Sequence, residues 1–126
     1  MEAMSKSKAY LLLGCPFCFK FLLFMTEAGL LDQIEVVPVD PQDAGYEDLK
    51  SQISQSTGAK ATFPTVEIEP GVFKSDTAAL IEYFAQKNNA ATDLPVMSFY
   101  TKGLFARYVD MYKENIALKQ QVNSAN

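Results

Sequence analysis

Apolar positions along this chain fall into two rhythms. Ala9 to Leu13 (Ala-Tyr-Leu-Leu-Leu) is short and apolar on both faces, which predicts a strand covered on both sides. Ile34 to Val39 (Ile-Glu-Val-Val-Pro-Val) is rich in β-branched residues and predicts a second strand. Pro38 cannot donate to a ladder, so that strand belongs at a sheet edge or ends there. Between the two runs, Gly14 breaks the first strand and Pro16 suits a first helical position. A helix-like pattern follows from Phe17 to Ala28. Cys18, Phe21, Leu22 and Met25 share one face of this helix, while Phe19, Leu23 and Phe24 spread round the rest. One sheet face cannot cover that much apolar surface, so a further element must pack against it. Gly29 offers a left-handed cap at its end.

Further along, Asp40 to Gly45 is a polar loop. A helix with Leu49 and Ile53 inward runs from Tyr46 to about Ser56, closed by Gly58. Thr65 to Glu69 alternates as a strand, Pro70-Gly71 signals a turn, and Val72 to Lys74 can return as a hairpin partner. Ser75 and Asp76 stand where an N-cap belongs, before the periodic run Ala79, Leu80, Tyr83 and Phe84. A loop from Asn88 to Pro95 leads to an amphipathic helix over residues 98–119. Its stripe comprises Phe99, Leu104, Phe105, Tyr108, Val109, Met111, Tyr112 and Ile116. The order β-α-β-α-β-β-α predicts an α/β domain over residues 9–88 with a four-stranded mixed sheet. The first two strands are parallel through a crossover helix, and the last two form an antiparallel hairpin. Residues 1–8 and 120–126 are expected to be flexible ends.

At 126 residues and 48% apolar, the chain is long and apolar enough for one domain with a real core. A net charge of −4 without a basic block argues against nucleic-acid binding. The most apolar stretch, Tyr10 to Met25, is cut by Gly14, Pro16 and Lys20, so neither a membrane span nor a signal segment is expected. These features point to a soluble protein of a reducing compartment, the cytoplasm, where a cysteine pair is more often catalytic than structural. The chain has no histidine, which removes Ser-His and Cys-His nucleophilic pairs and histidine-ligated metals.

The chemistry that remains centres on Cys15-Pro16-Phe17-Cys18, which contains the only two cysteines. Cys15 stands at or just before a helix start, where unpaired N–H groups and the macrodipole favour a thiolate over a thiol. Such a thiol has its pKa lowered from about 8.5 to roughly 3.5–7.5. Cys18, one turn further in, sits deeper. A buried apolar pair, a short disulfide staple and a zinc half-site are the alternatives. The staple would constrain little chain, and the zinc site lacks ligands. Strand, glycine, Cys-Pro-aromatic-Cys and helix together favour redox chemistry, with Cys15 attacking and Cys18 resolving.

Three landmarks now carry a family resemblance over roughly residues 8–88. Cys15-Pro16-Phe17-Cys18 after the first strand is close to the Cys-Pro-Tyr-Cys of dithiol glutaredoxins. Thr62-Phe63-Pro64 is similar to the Thr-Val-Pro whose proline is cis. Asp76-Thr77-Ala78-Ala79-Leu80-Ile81-Glu82-Tyr83-Phe84 resembles the Glu-Ser-x-Ala-Ile-x-x-Tyr-Leu of glutathione transferases. The chain thus resembles the thioredoxin fold, in the form of glutaredoxins and the N-terminal domain of glutathione transferases. The resemblance implies glutathione as co-substrate and no metal. Phe17, Phe63, Pro64, Asp76 and Thr77 would contact it: main-chain groups of Phe63 the cysteinyl part, the Asp76–Thr77 helix start the α-carboxylate and ammonium. There are departures. No lysine precedes Cys15, leaving Lys20 and Lys60 as candidate partners for glutathione carboxylates, and Phe17 replaces the common tyrosine.

The function expected from these residues is glutathione-dependent thiol–disulfide oxidoreduction on glutathionylated or disulfide-bonded proteins. A truncated transferase conjugating glutathione to electrophiles is one rival, since the last helix resembles only the first helix of a transferase's second domain. A non-catalytic binding module is another. Iron–sulfur carriage is a third, weakened by Pro16 where cluster-binding relatives have glycine. The last helix is expected to cover the outer face of the Cys18–Met25 helix, within the chain or across a homodimer, with its aromatic stripe as core.

Overall fold

A computed structural model describes residues 6–124. Its sheet has four strands, β1 (Ser7–Leu12), β2 (Ile34–Val39), β3 (Thr65–Glu69) and β4 (Val72–Ser75), in the order β2-β1-β3-β4. β1 is central and pairs parallel with β2, placing Ala9 opposite Val36 and Leu11 opposite Pro38. The proline therefore sits on an edge strand, where a missing donor costs least. β3 runs antiparallel to both β1 and β4, with Tyr10 opposite Thr65 and Thr65 opposite Ser75. One consequence of this register governs the site. The end of β1, the start of β3 and the end of β4 all lie at the same edge of the sheet.

Three helices flank the sheet: α1 (Pro16–Glu27), α2 (Tyr46–Thr57) and α3 (Thr77–Asn88). Ala9, Leu11, Val66 and Ile68 turn one sheet face toward α1 and α3, which supply Phe21, Phe24, Met25, Leu80 and Phe84. The rings of Phe21 and Phe84 meet at 5.8 Å. Thr65, on the opposite face, lines a small pocket with Ile53 of α2 and Phe73 of β4. Gly58 closes α2 at φ 72, a left-handed position that glycine adopts without strain.

Past α3, a short helix α4 (Pro95–Tyr100) is followed by a π-helical turn, Thr101–Phe105, and then by α5 (Ala106–Ser124). The Glu27 carboxylate, at the end of α1, accepts hydrogen bonds from the N–H groups of Val96 (2.8 Å) and Met97 (2.7 Å). Those two donors have no partner inside α4, and the anion also meets the positive end of its dipole. Met97 follows into the core, 5% exposed. Glu27→Ala should therefore destabilise the protein by about 1–2 kcal/mol, read as a lower urea midpoint, and Glu27→Gln by less.

The predicted cover over α1 is real, but α4 and the π turn provide it. Tyr100 packs on Phe19 (5.2 Å) and Phe105 on Phe17 (5.1 Å), and the Tyr100 hydroxyl donates to the Pro16 carbonyl at 2.9 Å. The stripe expected as core departs from this. Phe99 is 84% exposed, and every residue from Asp110 to Asn123 is exposed. The reason is phase. A π turn holds more residues than an α turn, so it rotates everything beyond it relative to Met97 and Tyr100. Phe105 then faces α1 in place of Leu104. The helix also begins at Pro95 and continues through residues 120–124, which were expected as tail; residues 125 and 126 lie outside the described residues. At the other end, Ser7 and Lys8, expected to be flexible, belong to β1, and residues 1–5 lie outside the described residues. Among the described residues no helix is long and apolar enough to cross a membrane.

Candidate active site

Gly14, at φ 80, turns the chain sharply from β1 into α1 and leaves Cys15 as the N-cap of that helix. The Cys15 sulfur is half-buried and accepts a hydrogen bond from the Cys18 N–H at 3.4 Å. The Cys18 thiol donates to the same sulfur, and the Phe17 N–H adds to the set. The Cys18 thiol contributes most. The donors outweigh partial burial and lower the Cys15 pKa to about 6. Cys18 is 2% exposed and its sulfur accepts from the Leu12 N–H at 3.3 Å. Its role as donor to the Cys15 thiolate, with burial next, pushes its own pKa well up. At neutral pH the pair is one thiolate backed by one thiol.

The other predicted residues converge on this edge of the sheet. The Phe63–Pro64 peptide bond is cis, and Pro64 is buried. The main-chain polar groups of Phe63 make no hydrogen bond among the described residues, while its ring stacks against Tyr46 at 6.4 Å. Thr65, next in the chain, donates from its hydroxyl to the Thr62 carbonyl. Asp76 is exposed, in the left-handed region at φ 79, and caps α3 by accepting from the Ala79 N–H at 3.0 Å. Thr77 differs from expectation. Its side chain is 7% exposed and its hydroxyl donates to the Phe17 carbonyl at 3.1 Å, so it ties α3 to the first turn of α1. Only its main-chain N–H, in the unpaired first turn, remains for a ligand. Phe17 keeps 43% of its surface exposed. Of the two candidate lysines, Lys20 lies over the Phe105 ring at 4.7 Å, whereas Lys60 lines a pocket of ≈ 470 Å³ with Tyr46 and Phe63.

Two features were not singled out in the sequence. An apolar pocket of ≈ 550 Å³ adjoins Cys15, lined by Leu11 to Gly14 and Phe19, with Tyr100 and Tyr108 contributing from beyond α3. Tyr100 itself senses the site: burial, and then the charge on Cys15, push its hydroxyl pKa up. Neither had a sequence signal, because both depend on the phase set by the π turn. Among the described residues no group of three or more Cys, Asp or Glu is placed to hold a metal ion.

Sequence comparison decides the family. The family model described as glutathione S-transferase, N-terminal domain, matches residues 14–87, more than half of the 126. The chain belongs to that family. No curated protein matches it in sequence. Among solved structures, this transferase-type domain is similar to a possible glutathione S-transferase from Rhodopseudomonas palustris at TM-score 0.54 and 20% identity, over 73% of this chain and 45% of that one. A glutathione S-transferase from the Antarctic clam Laternula elliptica aligns at TM-score 0.49 and 21% identity, over 72% of this chain and 37% of that one. The chain therefore spans less than half the length of these transferases. The shared part is the thioredoxin-like fold that carries the cysteine pair.

Proposed function

We propose that this protein is a glutathione-dependent thiol–disulfide oxidoreductase of glutaredoxin type. One observation carries the reading: a half-buried sulfur with pKa lowered to about 6, backed by a buried thiol that donates to it. Conjugation needs glutathione's own thiol activated; a protein thiolate with a resolving partner is suited to exchange. The Cys15 thiolate attacks the glutathionyl sulfur of a mixed disulfide, forming Cys15–S–SG. The departing thiolate takes a proton from water. A second glutathione thiolate then attacks the glutathionyl sulfur, releasing oxidised glutathione and restoring the Cys15 thiolate. Alternatively Cys18 loses its proton and attacks the Cys15 sulfur, expelling glutathione thiolate and forming an intramolecular disulfide. Glutathionylation itself favours that second route, because it removes the thiolate that most strongly holds the proton on Cys18.

In this reading the Phe63 main chain pairs with the cysteinyl unit, and the α3 start takes the α-carboxylate on the Thr77 N–H. One Asp76 oxygen stays on its cap while the other meets the ammonium. Pro64 shapes the groove floor, the Phe17 ring flanks it, and Lys60 reaches a terminal carboxylate. The partners are glutathione and glutathionylated or disulfide-bonded proteins. A pair of unbridged cysteines suits a reducing compartment such as the cytoplasm.

The apolar pocket beside Cys15 favours one second reading, conjugation of glutathione to an apolar electrophile held there. Turnover of hydroxyethyl disulfide with glutathione, set against that of a chlorinated aromatic electrophile, separates the two. The pH profile of Cys15 alkylation supplies the other half of the test. Since the thiolate exists above the folded pKa and is lost below it, the rate should fall through a midpoint near 6. A midpoint near the ordinary thiol value of about 8.5, with no glutathione-dependent disulfide turnover, would refute the oxidoreductase reading.

A further inference from the structure

We infer that the outward face of α5 is a parallel two-stranded coiled-coil seam for a second copy of this chain. The phase shift at the π turn leaves Leu104, Tyr108, Met111, Asn115, Leu118 and Val122 on one solvent-facing stripe. Its spacing alternates four and three residues. Leu104 is 71% exposed, Met111 64%, Leu118 51% and Val122 63%. In heptad terms Leu104, Met111 and Leu118 take d positions, and Tyr108, Asn115 and Val122 take a positions. A helix whose last turns are exposed all round is marginal in water without a partner.

Two features say what the partner is. Asn115 is the single amide at an a position. In a parallel, in-register pair it meets its own copy, which satisfies its hydrogen bonds and selects two strands. An unrelated apolar groove would leave that amide buried and unpaired. The flanks agree. Glu114 at g and Lys119 at e stand five residues apart, the separation at which g of one strand meets e of the other, and their charges are opposite. Neither is in an ion pair among the described residues. Self-pairing thus joins Glu114 to Lys119 of the partner subunit twice over.

The test is the solution mass of the full chain by light scattering across a concentration series. The seam predicts twice the 14.0 kDa of one chain at high concentration. Leu118→Glu should return the mass to one chain. Ile116→Glu, off the seam and already 39% exposed, should leave the dimer intact. Glu114→Lys or Lys119→Glu alone should weaken association about tenfold, and the double exchange should restore it. An unchanged Cys15 alkylation rate in each variant confirms that the domain is folded. A single-chain mass at every concentration, a dimer that survives Leu118→Glu, a dimer lost in Ile116→Glu, or a double exchange that fails to restore association would each overturn the inference.

Discussion

Cys15→Ser should reduce glutathione-dependent disulfide turnover to the uncatalysed rate, while Cys18→Ser keeps measurable monothiol turnover. The asymmetry follows from position. Cys15 is the N-cap sulfur and half-buried, whereas Cys18 is 2% exposed and serves as its donor. A serine hydroxyl at position 15 stays protonated and cannot form the mixed disulfide. At position 18 a hydroxyl still donates to the Cys15 sulfur, so the thiolate survives without a resolving thiol. Cys18→Ala is the sharper probe. It removes the largest contribution to the lowered pKa but leaves the Cys18 and Phe17 N–H groups in place. The Cys15 pKa should therefore rise from about 6 part of the way back toward 9.0. With a pKa of about 6, roughly nine-tenths of Cys15 is thiolate at pH 7. In the alanine variant that fraction drops toward a few per cent. The deficit should be large at pH 6–7 and nearly gone by about pH 9, where both proteins are ionised. A pH-independent deficit would mean that Cys18 acts only as a resolving thiol, not as the donor that ionises its neighbour.

What could be read from the chain, and what could not, divides along one physical line. Elements whose signal is local were legible. The Gly14 and Pro16 boundaries, the edge placement of Pro38 and the Asp76 cap each rest on backbone chemistry within a few residues. Their convergence on one end of the sheet followed from strand order, since an antiparallel third strand must begin where the first one ends. The Thr77 hydroxyl was assigned outward and turned inward, because its partner, the Phe17 carbonyl, is 60 residues away in sequence and adjacent only in the fold. The last helix failed for a different reason. Periodicity arguments assume a constant angle per residue, and five residues in a π conformation break that assumption. Tyr100, absent from the predicted stripe, became a packing residue, and Phe99, counted in it, faces solvent. The docking of Glu27 on α4 was equally hidden, since a carboxylate reads as solvated surface unless its acceptor role across the chain is known.

Phe21→Ala should cost about 3–5 kcal/mol of stability, seen as a large fall in the urea midpoint at unchanged slope. For a domain whose total is of order 5–15 kcal/mol, that approaches the threshold of folding. Phe21 is fully buried between the sheet and α3, with its ring 5.8 Å from that of Phe84. The size of the loss depends on whether the helix can close over the gap, and three ties oppose that. The Leu12 N–H holds the Cys18 sulfur, the Thr77 hydroxyl holds the Phe17 carbonyl, and Glu27 is clamped to α4. A helix fixed at both ends leaves a cavity, so the penalty belongs at the upper end of the range. Phe19→Ala, at a ring 50% exposed, removes the same atoms from a surface site and should cost about 1 kcal/mol or less. The thiol supplies a second readout. The ties that resist collapse also fix the first turn of α1, so the alkylation midpoint of Cys15 in folded Phe21→Ala protein should stay near 6. A midpoint that moved with the stability loss would show that packing beneath the helix, and not the ties at its ends, sets the geometry of the thiolate.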